Sequence, residues 1–533
     1  GALAPSAVET FNFPNERNRE ITVDQIHKKQ ECMIKAAALM KDSGFAGVDL
    51  HAAHWGYLLD NFLMPIANHR EDEYGGCLEN RVRVITEMVE GIHQVCGSDF
   101  AVTIGLGVKS FITALNKGSL TGENEAGRTV EEAIEIAKLL EKAGVNAILA
   151  DVGIYDSFYH ACPPGYMPKG HALDLYAQVK EQVGIPVLAR SRMGDPDLCL
   201  HAVESGKVDG VVLARPALAD PYFPRKIEMG IPEKIRPCIG CNVGCYGNMV
   251  ERGIAGGCAV NPRATRELNT RPRKAVNPRK IAVIGGGPAG LSCAYYLAEK
   301  GYRPTVFEKE QRLGGMLENG LPSFRLEKDV VQAEIDVLRE MGVQFRCGVE
   351  VGKDVTIAQL RQEGFRGFYV AVGLQSGGKL DIPGGDAQGV MAGIDFMRQV
   401  NGGQCSKLAG PVVVIGGGNI AADVARTAVR CGAESVDLYC LEGYDEMPMG
   451  AEDRSECERD GITIHAGWGQ TEIVTENGHA AGIRFRKCLR VKDDQGRFAP
   501  VFDDNDACEA ACATVLYCIG QKVDWRQLLT GTA

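Results

Sequence analysis

The chain has 533 residues, 45% of them apolar and 24% charged, with a formal net charge of −11. That composition fits a globular enzyme of roughly three to four domains. The acidic balance and the lack of a long basic run argue against nucleic acid or an anionic membrane surface as a partner.

No apolar stretch reaches the ~18 residues needed to span a bilayer, and no secretory leader pattern opens the chain. The 19 cysteines therefore read as reduced thiols and metal ligands, not as a disulfide scaffold. The cytoplasm is the expected location.

In residues 1–230, helical patterns at about 23–43, 79–95 and 129–143 are interleaved with short apolar runs at 47–51, 100–106, 147–151, 186–189 and 210–214. Short strands alternating with helices predict parallel βα units. Chemically active residues at the carboxyl ends of those strands predict a TIM (β/α)8-type barrel, which keeps its active site on that face. About five strands are legible where eight close a barrel. The expectation is therefore the C-terminal part of a barrel, truncated at its start. His51 and His54 follow the first strand, with Tyr57 just beyond. Two histidines three apart on a strand-to-helix loop can face one ligand, although either alone is more often structural. Arg190-Ser191-Arg192 and Ala214-Arg215-Pro216 end the last two strands, where barrels bind phosphate through backbone amides.

These motifs carry a family resemblance. His51-Ala-Ala-His54-Trp-Gly-Tyr57-Leu-Leu-Asp60, Asn68-His-Arg70-Glu-Asp72-Glu-Tyr74-Gly75-Gly76 and Glu79-Asn80-Arg81 resemble the old yellow enzyme family. The resemblance is to its branch of clostridial 2-enoate reductases and bacterial 2,4-dienoyl-CoA reductases. It implies FMN in the barrel, with His51 and His54 anchoring the substrate or the flavin edge. It also implies that Tyr57 protonates the substrate carbon and that Ser191, Arg192, Ala214 and Arg215 form the FMN phosphate site. Residues 108–111 and 151–156 look more like the enoate-reductase branch. Two positions depart from the pattern. Gly105 stands where the family usually has an arginine against the flavin pyrimidine, and Ser191 stands where a glycine is common.

Next come Cys238, Cys241, Cys245 and Cys258, spaced C-x2-C-x3-C-x12-C. Packing alone does not require four soft ligands so close together. Thiolates select zinc or iron–sulfur clusters. Zinc sites more often use two separated C-x2-C knuckles, whereas here three cysteines crowd one loop. The spacing leaves both metals open. The same family resemblance, which extends through Asn261-Pro262, implies a 4Fe-4S cluster. The stretch 263–279, rich in Arg, Pro and Asn, reads as a solvated linker.

From residue 279 a buried strand leads into Gly285-Gly-Gly287-Pro-Ala-Gly290, then a helix, then a strand ending at Glu308. This is the G-x-G-x-x-G dinucleotide fingerprint in its strand–turn–helix setting, with an acid placed for a ribose hydroxyl. A second copy, Gly416-Gly-Gly418-Asn-Ile-Ala421, follows about 130 residues later. Runs 368–373 and 514–520 look like return strands of the first copy, so the second is expected to be nested inside it. Gly314-Gly315-Met316, Pro322-Ser-Phe324-Arg325 and Glu446-Met447-Pro448 resemble the small subunit of glutamate synthase. That likeness implies FAD in the first site and NAD(P)H in the second. In NADP-using relatives two arginines follow the next strand. Here Glu442 stands there, which favours NADH.

The expected division is 1–230 barrel, 231–278 cluster loop and linker, 279–400 FAD-binding domain, 401–510 NAD(P)H-binding domain, and 511–533 an incomplete return to the FAD domain. The resemblances imply an NADH-dependent ene-reductase in which electrons pass from NADH to FAD, to the cluster, to FMN and to an activated alkene. The alkene would be a 2-enoate, an enoyl-CoA or an enone. A homo-oligomer or a larger redox complex is the expected assembly. A trimethylamine-dehydrogenase-like demethylase, or an electron-input subunit with a non-catalytic barrel, are the alternatives.

Overall fold

The computed structural model describes residues 2–9, 16–268, 274–378, 381–405, 407–523, 525 and 528. The chain divides into two compact units, Gly1–Thr270 and Arg271–Ala533. Residues 269–273 of the expected linker lie outside the described residues, as does most of 524–533.

The first unit is built on five parallel strands: β1 (Gly47–Ala53), β2 (Ala101–Gly107), β3 (Ala147–Asp151), β4 (Val187–Ala189) and β5 (Gly210–Val211). They pair in simple sequence order, as successive βα units of a barrel do. Between them run α1 (Val23–Asp42), ahead of β1, then α2 (Leu58–Leu63), α3 (Leu78–Cys96) and α4 (Val130–Lys142). α1 begins at Thr22, whose hydroxyl accepts from Gln25 N while the Gln25 side chain caps Thr22 N. This reciprocal cap marks the start legible in the sequence. The central strands β2 and β3 read as near-continuous apolar runs because most of both faces is covered. Val102, Ile104, Ile148, Ala150, Val187 and Ala189 are fully buried in one core with the inner faces of α3 and α4.

In the second unit, β6 (Lys280–Ile284), β7 (Arg303–Glu308), β8 (Gln344–Cys347) and β9 (Phe365–Val370) form a parallel sheet of order 8-7-6-9. A second parallel sheet joins β10 (Val390–Ala392), β11 (Val412–Ile415), β12 (Val436–Cys440), β13 (Thr463–Ala466) and β17 (Thr514–Tyr517) in the order 10-17-11-12-13. Three antiparallel strands, β14 (Trp468–Glu476), β15 (His479–Lys492) and β16 (Phe498–Ala511), lie between β13 and β17 in sequence. Each sheet has its fingerprint helix, α5 (Pro288–Glu299) and α6 (Asn419–Arg430).

One expectation is corrected here. Residues 514–517 do not return to the first dinucleotide sheet. β17 pairs with β10 and β11, so the second domain closes with its own last strand. The return begins later, where Gln521–Lys522 pairs with Ser376–Gly377 and Leu528 joins the core of the first sheet. A run such as Thr-Val-Leu-Tyr announces burial on both faces but carries no label for which of two similar sheets will bury it.

Candidate functional site

The first candidate site lies at the carboxyl ends of β1–β4. β1 runs into Trp55 and Gly56, both with positive φ, and Tyr57 caps α2. This sharp turn is held from behind. Asp60, fully buried, accepts from Gly56 N at 2.7 Å and pairs with the buried Arg128. Arg128 also donates to the carbonyls of Ala53 (3.2 Å) and Gly107 (2.7 Å), the last residues of β1 and β2. One ion pair thus fixes the loop that carries the histidines and Tyr57.

His54 is 1% exposed, and its Nε2 lies 2.9 Å from Nδ1 of His51, whose ring is open to the mouth. Behind His54 stands Asp151, the last residue of β3 and 3% exposed. Its carboxylate accepts from Trp55 Nε1, Ser191 Oγ and Val152 N, each at 2.9 Å, and lies 3.5 Å from His54 Nδ1. The Tyr57 hydroxyl shares a hydrogen bond of 3.1 Å with Tyr155, and its ring stands 5.0 Å from that of His51. Burial, then the Tyr155 hydroxyl, push the Tyr57 phenol well above its ordinary range, so it stays protonated at any working pH. The inner edge of His51 is desolvated and faces His54 and Arg190. Together these hold its imidazole below the usual 6.5, despite the opposing pull of Asp49 and Asp151.

The Gly105 departure has a geometric reason. A Cβ there would lie 2.8 Å from Cδ2 and 2.9 Å from Nε2 of His54, and 3.2 Å from Nη1 of Arg190. Glycine is what admits both the His54 ring and the Arg190 guanidinium to the mouth. Ser191 and Arg192 take φ of 64° and 56°. That is left-handed backbone, unfavourable for side chains other than glycine, and the Ser191 hydroxyl bound to Asp151 offsets it. Asp151, Tyr155 and Arg190 fall in stretches that motif reading had marked, but it gave none of them a role beside the histidines. The available signal was position, since each ends or follows a barrel strand.

Ser191, Arg192, Ala214 and Arg215 follow β4 and β5, and the two arginine side chains are held by backbone and loop groups. Arg192 donates to the carbonyls of Met167 (3.1 Å) and Gly165 (2.8 Å). Arg215 donates to Pro163 O (2.8 Å) and Asn242 Oδ1 (2.5 Å).

Cys238, Cys241, Cys245 and Cys258 line one small cavity together with Arg215, Leu218 and Asn242. Among the described residues no three His, Cys, Asp or Glu side chains meet around a single-ion position. In a 4Fe-4S cluster each thiolate binds a different iron, so the sulfurs surround a volume instead of meeting at a point, and the donor set is all sulfur. The cavity fits that group. Cys245 sits in a wide turn, Val243–Glu251, with i→i+5 bonds such as Gly247 N to Asn242 O at 2.8 Å. Such turns are rare and frequent at functional sites.

In the second unit, Gly285, Gly287, Glu308 and Gly315 line a cleft of about 260 Å3. Gly285 has φ +108°, and a Cβ there would lie 2.3 Å from Ala371 O. Gly290 packs behind, where a Cβ would lie 1.9 Å from Gly285 O. Glu308, buried, accepts from Gly286 N (2.7 Å) and Glu310 N (2.9 Å), which fixes the carboxylate beside the turn. The second fingerprint repeats the arrangement around Gly416, Gly418 and the buried Ala421. A Cβ on Gly417 would lie 2.9 Å from Glu442 Oε2, so Glu442 stands over its turn as Glu308 stands over Gly286. Both turns fit a dinucleotide with a ribose hydroxyl at the acid.

Comparisons with known proteins agree with this geometry. Residues 1–234 match the model of the NADH:flavin oxidoreductase / NADH oxidase family. Residues 279–530 match that of the pyridine nucleotide-disulphide oxidoreductases. Cinnamate reductase of Clostridium sporogenes is 37% identical over 438 residues, 81% of this chain and 64% of that protein. An NADH oxidase of Thermoanaerobacter brockii is 31% identical over 493 residues, 90% of this chain and 72% of that protein. A solved 2-naphthoyl-CoA reductase, in complex with 2-naphthoyl-CoA, superposes with a TM-score of 0.81 at 26% identity, covering 99% of this chain and 75% of that one. The chain belongs to the NADH:flavin oxidoreductase / NADH oxidase family, in its old yellow enzyme-like, 2-enoate reductase lineage. It spans 64% of the length of the cinnamate reductase.

Proposed function

We propose that this chain is an NADH-dependent flavin and iron–sulfur oxidoreductase that reduces an activated C=C bond of a small enoate, enoyl thioester or enone. The observation that carries the proposal is the barrel mouth. There a protonated tyrosine stands against an exposed histidine, which is hydrogen-bonded to a buried histidine that faces the Asp151 carboxylate, all in one site at the strand ends. The cinnamate reductase and 2-naphthoyl-CoA reductase relatives support the substrate class.

FMN in the barrel, FAD at Gly285–Glu308, NADH at Gly416–Glu442 and a 4Fe-4S cluster on the four cysteines would together supply hydride chemistry and one-electron transfer. The protein's own part is positional. Tyr57 holds a proton for the α-carbon of the alkene. His51, the exposed member of the pair, meets the activating oxygen, and His54 orients it. Arg215 and Asn242 tie the end of β5 to the cluster loop. Glu442 takes the ribose hydroxyls and repels a 2′-phosphate.

No helix of the described residues is long and apolar enough to cross a membrane. A cytoplasmic enzyme is the reading that agrees best, working either as a homo-oligomer or within a larger redox complex.

The test is anaerobic turnover of the whole protein with NADH and a panel of cinnamate-type acids, enoyl-CoA esters and enones, followed by product analysis. Saturated product from at least one class is expected. NADH-dependent dye reduction with no alkene reduced across the panel would instead favour an electron-input subunit.

A further inference from the structure

Asp151 does more than cap a strand. We infer that it fixes the tautomers of both histidines, so that the neutral site offers a bare nitrogen, not an N–H, to the substrate. This rests on the ene-reductase reading for its meaning but not for its test.

The argument starts at His54. Its Nδ1 is buried and makes no hydrogen bond, yet it faces a carboxylate oxygen at 3.5 Å. A lone pair aimed at a carboxylate is repelled and an N–H is attracted, and in a buried site that difference decides the tautomer. His54 therefore carries its proton on Nδ1. Its Nε2 is then an acceptor, and Nδ1 of His51, 2.9 Å away, must donate to it. The proton of neutral His51 is thus spent inward. Its Nε2, on the open side of the ring, is left as a lone pair.

A carbonyl or carboxylate oxygen is also an acceptor, so neutral His51 cannot hold it. The site gains its donor only when His51 Nε2 takes up a proton from solvent, giving an imidazolium. The charged and titratable groups facing this ring are His54 on the same loop, Asp49 on β1, Asp151 on β3, and Arg190 after β4, with the phenol of Tyr57 nearby. His54 and Arg190 oppose the imidazolium, and the two carboxylates favour it. Asp151 is therefore a positioning residue acting through His54. It sets which nitrogen of His51 is exposed and helps set the pH at which that nitrogen becomes a donor. An anionic enoate, which itself stabilises the imidazolium, suits this mouth better than a neutral enone.

The test is nitrogen NMR of 15N-histidine in the intact, oxidised protein. His51→Gln and His54→Gln variants serve to assign the two residues. Both rings are expected to show a protonated Nδ1 and an unprotonated Nε2 at neutral pH, with His51 Nε2 protonating as the pH is lowered below 6.5. In Asp151→Asn the His54 preference should be lost. The limb of alkene reduction that falls as pH rises should move to lower pH, because a group favouring the imidazolium is gone. Trp55→Phe, which removes a hydrogen bond to the same carboxylate but not its charge, should leave the tautomers in place. A protonated Nε2 on His51 in the parent protein overturns the inference even if Asp151→Asn fails to fold. So does an Asp151→Asn protein whose tautomers are unchanged. Neither reading depends on turnover, so a protein that reduces no alkene leaves this result standing.

Discussion

At the scale of single residues, Tyr57 is where the chemistry is most exposed to test. Its ring lies against His51, Trp55 and Tyr155, so Tyr57→Phe keeps the packing and loses only the hydroxyl. Turnover of the alkene should fall by ~10²–10⁴, the usual share of general acid catalysis, while reduction by NADH and flavin content persist. Because the phenol titrates far above neutrality, no alkaline limb below about pH 10 should belong to it. A Tyr57→Phe enzyme running at the parental rate would remove it from the mechanism. Glu442 is the second such residue. Its carboxylate stands over Gly417, where a 2′-phosphate would meet a like charge, so kcat/KM with NADH should exceed that with NADPH by at least about tenfold, equivalent to ~1.4 kcal/mol. Equal values would contradict the placement. His51 and His54 stood out in sequence by their spacing on a strand-to-helix loop, and Tyr57 by the family resemblance. Asp151 and Arg190 lay in quoted stretches, but their place beside the histidines was not legible. A strand-end acid looks the same whether it binds solvent or a buried imidazole, and only the fold brings β3 and β4 against the β1 loop.

At the scale of elements, the Asp60–Arg128 pair holds the ends of β1 and β2 and the turn that carries the histidines. Both side chains are almost fully buried. Removing one partner strands a charge in the core, which typically costs ~3–5 kcal/mol. Asp60→Ala should therefore lower the urea midpoint of barrel unfolding sharply and disorder the Tyr57 loop. An unchanged midpoint would show that the pair is not the clamp described here. Arg215 makes a different prediction, since its side chain lines the cluster cavity. Arg215→Gln should shift the cluster's reduction potential to more negative values, because a cation beside an anionic cluster is lost. FMN content should change little, because this side chain is already held by Pro163 O and Asn242 Oδ1. Loss of FMN with an unmoved potential would return Arg215 to the phosphate site. The five strands of the first unit and the fingerprint strands and helices of the second were legible from apolar runs and glycine patterns, whereas the antiparallel strands β14–β16 were not. The affiliation of β17 was not, because two similar parallel sheets compete for the same kind of strand and pairing between sheets is a long-range choice.

At the scale of the whole molecule, one chain carries a barrel mouth, a four-thiol cavity and two dinucleotide turns. On the proposed reading, that arrangement would let a hydride donor feed single-electron steps. Replacing Cys241 with Ser should separate the halves functionally. NADH should still reduce the flavin of the second unit, while iron is lost and alkene reduction stops. The four cysteines were legible because ligand spacing is a local pattern. Spacing alone left zinc as a rival, and the family to which the chain belongs is what favours a cluster.

The measurement that bears most directly on the central claim is the cofactor content of the intact protein purified without oxygen, by flavin chromatography and metal and sulfide analysis of the same sample. The account predicts FMN and FAD in equal amounts, with iron and acid-labile sulfide in the proportion of a 4Fe-4S cluster. FAD alone, or zinc in place of iron, would contradict it.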